Sequence, residues 1–258
     1  MNYKVCFIGA GNLATHLSVA LQNSGMNIVQ VYSRTEASAK ELATRLKTTF
    51  TASTDEIKTE VDIYFIVLKD AAVQEVLAAI NFKNKLVVHC SGSLPLSVLS
   101  DYSNNIGVLY PLQTFTKNRE VMFHNIPLFV EANSKENENL LLSVARRISG
   151  SVQLIGSDER RSLHISAVFA CNFVNHLYTI AADYLNSKSI SFEVLRPLVL
   201  ETALKVQEME PDKAQTGPAV RFDKNIISSH LKELEAVNNY AELYNWISKS
   251  IFDRHKKQ

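Results

Sequence analysis

Short apolar runs and helical repeats alternate along the first half of the chain. Tyr3–Ile8 (YKVCFI) reads as a strand, and Asn12–Asn23 as a helix with Leu13, Leu17, Ala20 and Leu21 on one face. Gly25 supplies a helix stop. Asn27–Tyr32 is a second strand and Glu36–Leu46 a second amphipathic helix. Asp62–Leu68 (DIYFIVL) is almost continuously apolar, as a strand covered on both faces must be. Ala71–Ile80 is helical in pattern and Lys85–His89 is again a strand. This rhythm predicts a parallel sheet with helices on both faces, joined by right-handed crossovers.

The pattern changes after residue 105. Ile106–Tyr110 and Ile126–Glu131 read as strands extending the sheet, Lys135–Ser149 as a helix and Val152–Ile155 as a last short strand. From Asp158 onward strand signals vanish, and helices are predicted over 158–186, 191–209, 223–235 and 238–253. Gly156 marks the joint, which predicts an α/β domain over 1–156 and an all-α domain over 157–258. Within the first of these helices, Ser162–Ala182 runs 21 residues without Asp, Glu, Lys or Arg, enough to span a bilayer. Seven polar side chains in that stretch, among them His164, Asn172, Asn175 and His176, would be costly in hydrocarbon. The stretch therefore reads as a helix buried in a soluble protein. At about 100° per residue, His164, Asn172, Asn175, His176, Thr179 and Asp183 form one polar stripe on it.

Composition narrows the class. Of 258 residues, 46% are hydrophobic and 21% charged, which fits a folded globular chain. Lys and Arg total 27 against 26 Asp and Glu, so there is no electrostatic footprint for nucleic acid. Three cysteines argue against a disulfide framework, and no Cys/His spacing fits a zinc site. Cys6 and Cys171 lie in apolar segments and are expected in the core. The first apolar run begins at Tyr3, without room for a charged leader, so a cytoplasmic protein with no membrane partner is expected.

Chemistry concentrates at Gly9-Ala10-Gly11-Asn12-Leu13-Ala14. This G-x-G-x-x-A turn follows the first strand and opens the first helix, the context a dinucleotide site requires. Gly9 permits the turn, and Gly11 leaves no side chain between backbone and pyrophosphate. Asn12 and Leu13 begin a helix whose free N–H groups attract phosphate. After the second strand, an NAD site carries an acidic residue for the ribose hydroxyls. Here the chain has Ser33-Arg34-Thr35. A guanidinium and two hydroxyls suit the 2′-phosphate of NADP(H), although an exposed loop arginine is also common. Leu68 and Lys69, ending the 62–68 strand, are expected beside the cofactor, with Asp70 alternatively a helix cap.

With these residues in place, the chain resembles the β-hydroxyacid dehydrogenase-type oxidoreductases, which include 6-phosphogluconate dehydrogenase, ketopantoate reductase and pyrroline-5-carboxylate reductase. More closely, it resembles a bacterial branch with a Rossmann-like N-terminal domain and a helical C-terminal domain of unknown function. The marks are GAGNLATHL at 9–17, YSRT at 32–35, HCSGSLPLSVL at 89–99, YPLQTF at 110–115, HISAVFACNFVNHL at 164–177 and TGPAVRFDKN at 216–225. The resemblance implies a Rossmann-like NAD(P)-binding domain followed by a domain like the C-terminal one of 6-phosphogluconate dehydrogenase. It further implies substrate contacts and a homodimer interface in the helical domain, with the active site between the domains. One departure stands out. The superfamily's hydroxyacid dehydrogenases carry a catalytic lysine four residues before an asparagine; Asn172 matches the asparagine, but position 168 is Val.

The sequence thus nominates His164 and Asn172 as catalytic residues, His164 because imidazole titrates near neutrality, the alternative being a polar network within the helical domain or across a dimer interface. Ser91, Gly92, Ser93, Gln113 and Asn175 are nominated for the substrate. A His89–Cys90 nucleophilic pair is disfavoured, since adjacent strand side chains point to opposite faces. The expected function is NADP(H)-dependent oxidation or reduction of a small polar, carboxylated metabolite. The alternative is a catalytically silent dinucleotide-binding module that regulates a partner.

Overall fold

In a computed structural model of the chain, which describes residues 3–235 and 240–256, two compact units meet in sequence between Cys171 and Asn172. The first carries an eight-stranded sheet. Its strands are β1 (Lys4–Ile8), β2 (Asn27–Tyr32), β3 (Thr49–Thr51), β4 (Ile63–Ile66), β5 (Leu86–His89), β6 (Ile106–Pro111), β7 (Leu128–Ala132) and β8 (Val152–Leu154). Their order is β3-β2-β1-β4-β5-β6-β7-β8. Every neighbouring pair is parallel except β6–β7, which is antiparallel. The first six strands have the order of a Rossmann fold, which reverses direction at β1. The predicted strands are all present. β3 is an addition: three residues are too few to show a period.

The helices α1 (Asn12–Asn23), α2 (Glu36–Leu46), α3 (Val73–Ala78) and α4 (Lys135–Ala145) pack against this sheet. One core layer joins Phe7, Leu17, Leu21, Leu42, Phe65, Val88, Leu109 and Leu141; another joins Ile8, Tyr64, Ile66, Leu77, Phe82 and Val87. Alternate residues of β1 and β4 thus feed opposite faces, which is why those strands are apolar at every position. Asp70 does not cap a helix with its side chain. It lies inside a 3-10 turn, Asp70–Ala72, ahead of α3.

A long helix follows as α5 (Ser157–Ala167), a π-helical turn over Val168–Phe173, and α6 (Val174–Ser187). The compact division falls later than Gly156 because α5 is fastened to the sheet unit through Arg160 and Leu163. From Ser157 to Ser187 this helix is long and apolar enough to cross a membrane. Its expected burial does not occur within the chain: Phe169 is 65% exposed, and Ile165, Phe173 and Cys171 are exposed too. The apolar pattern is real, but among the described residues much of it stays exposed. The π turn also breaks the even 100° stripe, since it takes up an extra residue and shifts the phase of the residues after it.

The second unit contains α6, α7 (Arg196–Glu208), α8 (Pro211–Ala214), α9 (Pro218–Arg221), α10 (Lys224–Glu235) and α11 (Tyr240–His255). The expected start of the last helix at 238 lies outside the described residues. Among the described residues of this unit only Ala219, Ile227 and Ser248 are buried. An apolar cavity of about 590 Å³ opens among α6, α10 and α11, bordered by Leu177, Ile180, Leu243 and Ile247.

Candidate functional site

The glycine turn sits at the carboxyl end of β1, beside the end of β4, where the strand order reverses. Open α/β sheets bind ligands at this place. Gly9 has φ +125°, and a Cβ there would lie 2.1 Å from the carbonyl oxygen of Val67. Only glycine fits. Gly11 differs: a Cβ built on it meets nothing within 4 Å. It caps α1 with no side-chain bond and no acidic residue in the first turn. An open, uncrowded cradle at a helix N-terminus fits a pyrophosphate.

The YPLQTF segment closes one side of this turn. Asn12 Nδ2 donates to the carbonyl of Phe115 at 3.0 Å, His16 Nε2 lies 3.0 Å from the carbonyl of Thr116, and Phe115 stacks on His16. Lys117 pairs with Glu41 of α2 at 2.6 Å. Asn12 is thus committed through its amide to the loop, and its backbone remains at the phosphate cradle. At the end of β2, Ser33 Oγ accepts from the Thr35 N–H at 3.3 Å. Arg34 is exposed, with no ion-pair partner among the described residues. Leu13, Leu68 and Ser91 border a small cavity of about 40 Å³ together with His89 and Cys90. Lys69 is exposed just beyond it.

After β5 the chain turns at Ser91-Gly92-Ser93. Ser91 Oγ accepts from the N–H groups of Ser93 (3.0 Å) and Leu94 (3.1 Å), so its oxygen first shapes the loop. Gly92 is buried against α5: a Cβ there would lie 2.6 Å from Cγ and Nδ1 of His164. The His164 ring also meets Tyr110 of β6, whose hydroxyl lies 2.9 Å from Nδ1. Two segments far from α5 in sequence therefore converge on its imidazole.

Beneath them lies a fully buried guanidinium. Arg160, 1% exposed, pairs through Nη1 with Glu131 at the end of β7 and donates to the carbonyl of Leu94 at 2.5 Å. Ser157 Oγ donates to Glu131 at 2.9 Å and accepts from the N–H of Leu96 at 2.9 Å. This knot locks the start of α5 to the 91–96 loop. Sequence reading missed it, because Arg160 stands in a charged run beside Arg161, which is exposed and pairs with Asp158 at 2.8 Å.

Two neighbours are held chemically inert. Burial, with help from the charge of Arg160, lowers the His89 imidazole to about 3. It stays neutral, with Nδ1 accepting from the Ser91 N–H at 3.2 Å. Burial pushes the Cys90 thiol well above its ordinary range, so it is no nucleophile.

Within the sheet unit, Gln113 is not drawn into this cluster. Gln113 is exposed and turns its amide oxygen onto the N–H of Thr114 at 2.7 Å. Asn172 and Asn175 belong to the helical unit, where both are exposed. Asn172 lies within the π turn, and Asn175 gives its carbonyl to Thr179 at 3.3 Å.

Comparison with known proteins agrees with this geometry. Residues 4–92 match the family model described as "NADP oxidoreductase coenzyme F420-dependent", and residues 126–251 match a domain of unknown function, DUF2520. No curated protein matches the sequence. Among solved structures, a "putative NADP oxidoreductase" of Bacteroides fragilis is 44% identical, covers 98% of both chains and superposes with a TM-score of 0.94. A 1-pyrroline-5-carboxylate reductase of Streptococcus pyogenes is 16% identical, with TM-score 0.64 and coverage of 100% of this chain and 99% of that one. An imine reductase of Myxococcus stipitatus, solved with NADP+, is 14% identical, with TM-score 0.67 and coverage of 98% and 93%. At those identities the last two share the fold alone. The glycine turn, the sheet order and the Bacteroides relative place this chain in the family of NADP oxidoreductases that joins a Rossmann-like dinucleotide-binding domain to a DUF2520 helical domain.

Proposed function

We propose that this chain is an NADP(H)-dependent reductase or dehydrogenase of a small polar, carboxylated metabolite. Bound NADPH would supply hydride to a carbonyl or imine carbon. The open cradle at Gly11 carries this reading. Gly9, Gly11, Asn12 and Leu13 hold the pyrophosphate through backbone N–H groups. Ser33, Arg34 and Thr35 hold the 2′-phosphate, and Leu68 and Lys69 border the cofactor. His164 holds the proton that accompanies hydride, and Ser91, Gly92 and Ser93 present the loop on which a carboxylate rests. Gln113, Asn172 and Asn175 contribute amide groups to the substrate. For Asn172 the support is its place in a π turn, an irregularity found frequently at functional sites.

The same reading includes a homodimer formed through the helical domain. Its support is the apolar surface that the domain leaves uncovered: Val194, Leu198 and Leu200 are each at least 60% exposed. The polar side chains along Ser157–Ser187 favour a protein partner over lipid as the cover for that helix.

The deciding experiment is a calorimetric titration with NADPH and NADH, followed by NADPH consumption over a panel of keto and imino acids. NADPH is expected to bind more tightly than NADH. Arg34→Ala is expected to remove most of the difference, about 1–3 kcal/mol for a charge-assisted contact. Equal affinities in the wild type would refute the Arg34 assignment. Tight NADPH binding without turnover across the panel would favour the silent binding module.

A further inference from the structure

We infer that Tyr110 is a positioning residue for His164, fixing the imidazole through Nδ1 so that Nε2 is the nitrogen that exchanges a proton with substrate. The inference rests on the oxidoreductase reading only for what His164 acts upon. Tyr110 lies near the end of β6 and is 7% exposed, its ring lodged beside Phe129 at 6.4 Å. Its hydroxyl is 2.9 Å from His164 Nδ1, and the two rings meet edge to face at 5.9 Å. Gly92 presses on the same imidazole at Cγ and Nδ1, so closely that a methyl group would overlap it. Both neighbours meet the ring at its Nδ1 edge, which turns Nδ1 toward the phenol.

The chemistry of the pair is set by what each atom can do. A phenol hydroxyl both donates and accepts. It donates to a bare Nδ1 and accepts from Nδ1–H, so the contact survives either protonation state of the ring. Burial keeps the Tyr110 phenol protonated. A phenol, whose oxygen lone pair is delocalised into its ring, donates better than it accepts, so it donates to Nδ1 of the neutral imidazole. The neutral ring then carries its proton on Nε2. Below the pair, the Arg160–Glu131 knot anchors α5 one turn before His164, fixing the backbone from which the ring projects.

Nitrogen-15 NMR of the free protein tests the inference without a substrate, with the His164 signals assigned by their loss in His164→Gln. A single tautomer protonated on Nε2 is expected in the wild type, and a mixed population in Tyr110→Phe. An unchanged tautomer in folded Tyr110→Phe, or a mixture already in the wild type, would overturn it. Kinetics give a second readout on any substrate the panel identifies. Tyr110→Phe should lower kcat about tenfold to a hundredfold, with KM and NADPH affinity near wild type. Tyr110→Phe combined with His164→Gln should be no slower than His164→Gln alone, because one acts through the other. Additive losses would overturn the pairing. Failure of the wild type to bind NADPH would instead strike the cofactor reading, and the NMR arm reports on Tyr110 regardless.

Discussion

Gly9 and Gly11 stand two residues apart in one turn and are glycine for opposite reasons. At Gly9 the demand comes from inside the fold: positive φ, and a Val67 carbonyl where a side chain would go. At Gly11 nothing among the described residues forbids a side chain. Gly9→Ala should therefore destabilise the protein, by about 3 kcal/mol from overpacking and backbone strain. Gly11→Val should keep its melting temperature and lose NADPH binding. A folded Gly11→Val that binds NADPH normally would show the turn to be purely structural. His89 makes a second prediction at this scale. Its imidazole is lowered to about 3 in the fold, against an ordinary value of 6.5 in the unfolded chain. Between those values the unfolded state binds a proton that the folded state does not. Stability is thus fully present above pH 6.5 and is lost as pH falls toward 3, by at most about 1.4 kcal/mol per pH unit. Melting curves from pH 7 to 4 should show that loss in the wild type and a flatter profile in His89→Asn. Parallel profiles would mean His89 is not the group responsible.

At the scale of elements, α5 is the part whose role the charge pattern conceals. The guanidinium of Arg160 is buried against Glu131 of β7 and the carbonyl of Leu94. Removing one partner strands the other in a low-dielectric site. Arg160→Met should cost about 3–5 kcal/mol in chemical denaturation, whereas Arg160→Met with Glu131→Leu should recover much of it. A double variant as unstable as the single one would indicate that the bond to Leu94, rather than the ion pair, matters most. Part of this element is legible in the sequence. The Ser157–Ser187 helix is where periodicity predicts it, and Glu159 closes its first turn by accepting from the Gly156 N–H at 2.9 Å. Its π turn is not legible there, since a run such as VFACNF is equally compatible with α-helical bonding. Nor is its exposure, because periodicity says which face seeks cover and not which molecule provides it.

At the scale of the molecule, the two units differ in how far each satisfies itself. The sheet unit has continuous cores on both faces. The helical unit, with three buried residues among those described, does not have one. Apolar helices cannot be stable while wet on nearly every side. Their large exposed side chains, Trp246 at 72% among them, call for a partner surface. A second copy is the simplest source, since symmetric pairs are the commonest oligomers. Light scattering at micromolar concentration should give about twice the 28.9 kDa of one chain. Leu198→Asp should shift it toward the monomer and lower the melting temperature together, because fold and association are coupled. A wild type that elutes as a monomer would contradict the dimer.

What the sequence determined by itself was everything carried by short-range pattern. The strand–turn–helix at Gly9–Ala14, the parallel rhythm of the first half and the all-helical second half depend on residues within a few positions of one another. So does the exchange of an acidic residue for Arg34 at the end of β2. Only tertiary structure decided which polar residues meet. Tyr110 and His164 are 54 residues apart, and Arg160 and Leu94 are 66 apart. Nothing in local propensity links such pairs. They join because β5 and β6 lie side by side and α5 returns across their ends, placing Gly92, Tyr110 and His164 in one cluster. His89 and Cys90 sit in the same neighbourhood and are silenced by burial, a property that belongs to the packed core and not to the residue type.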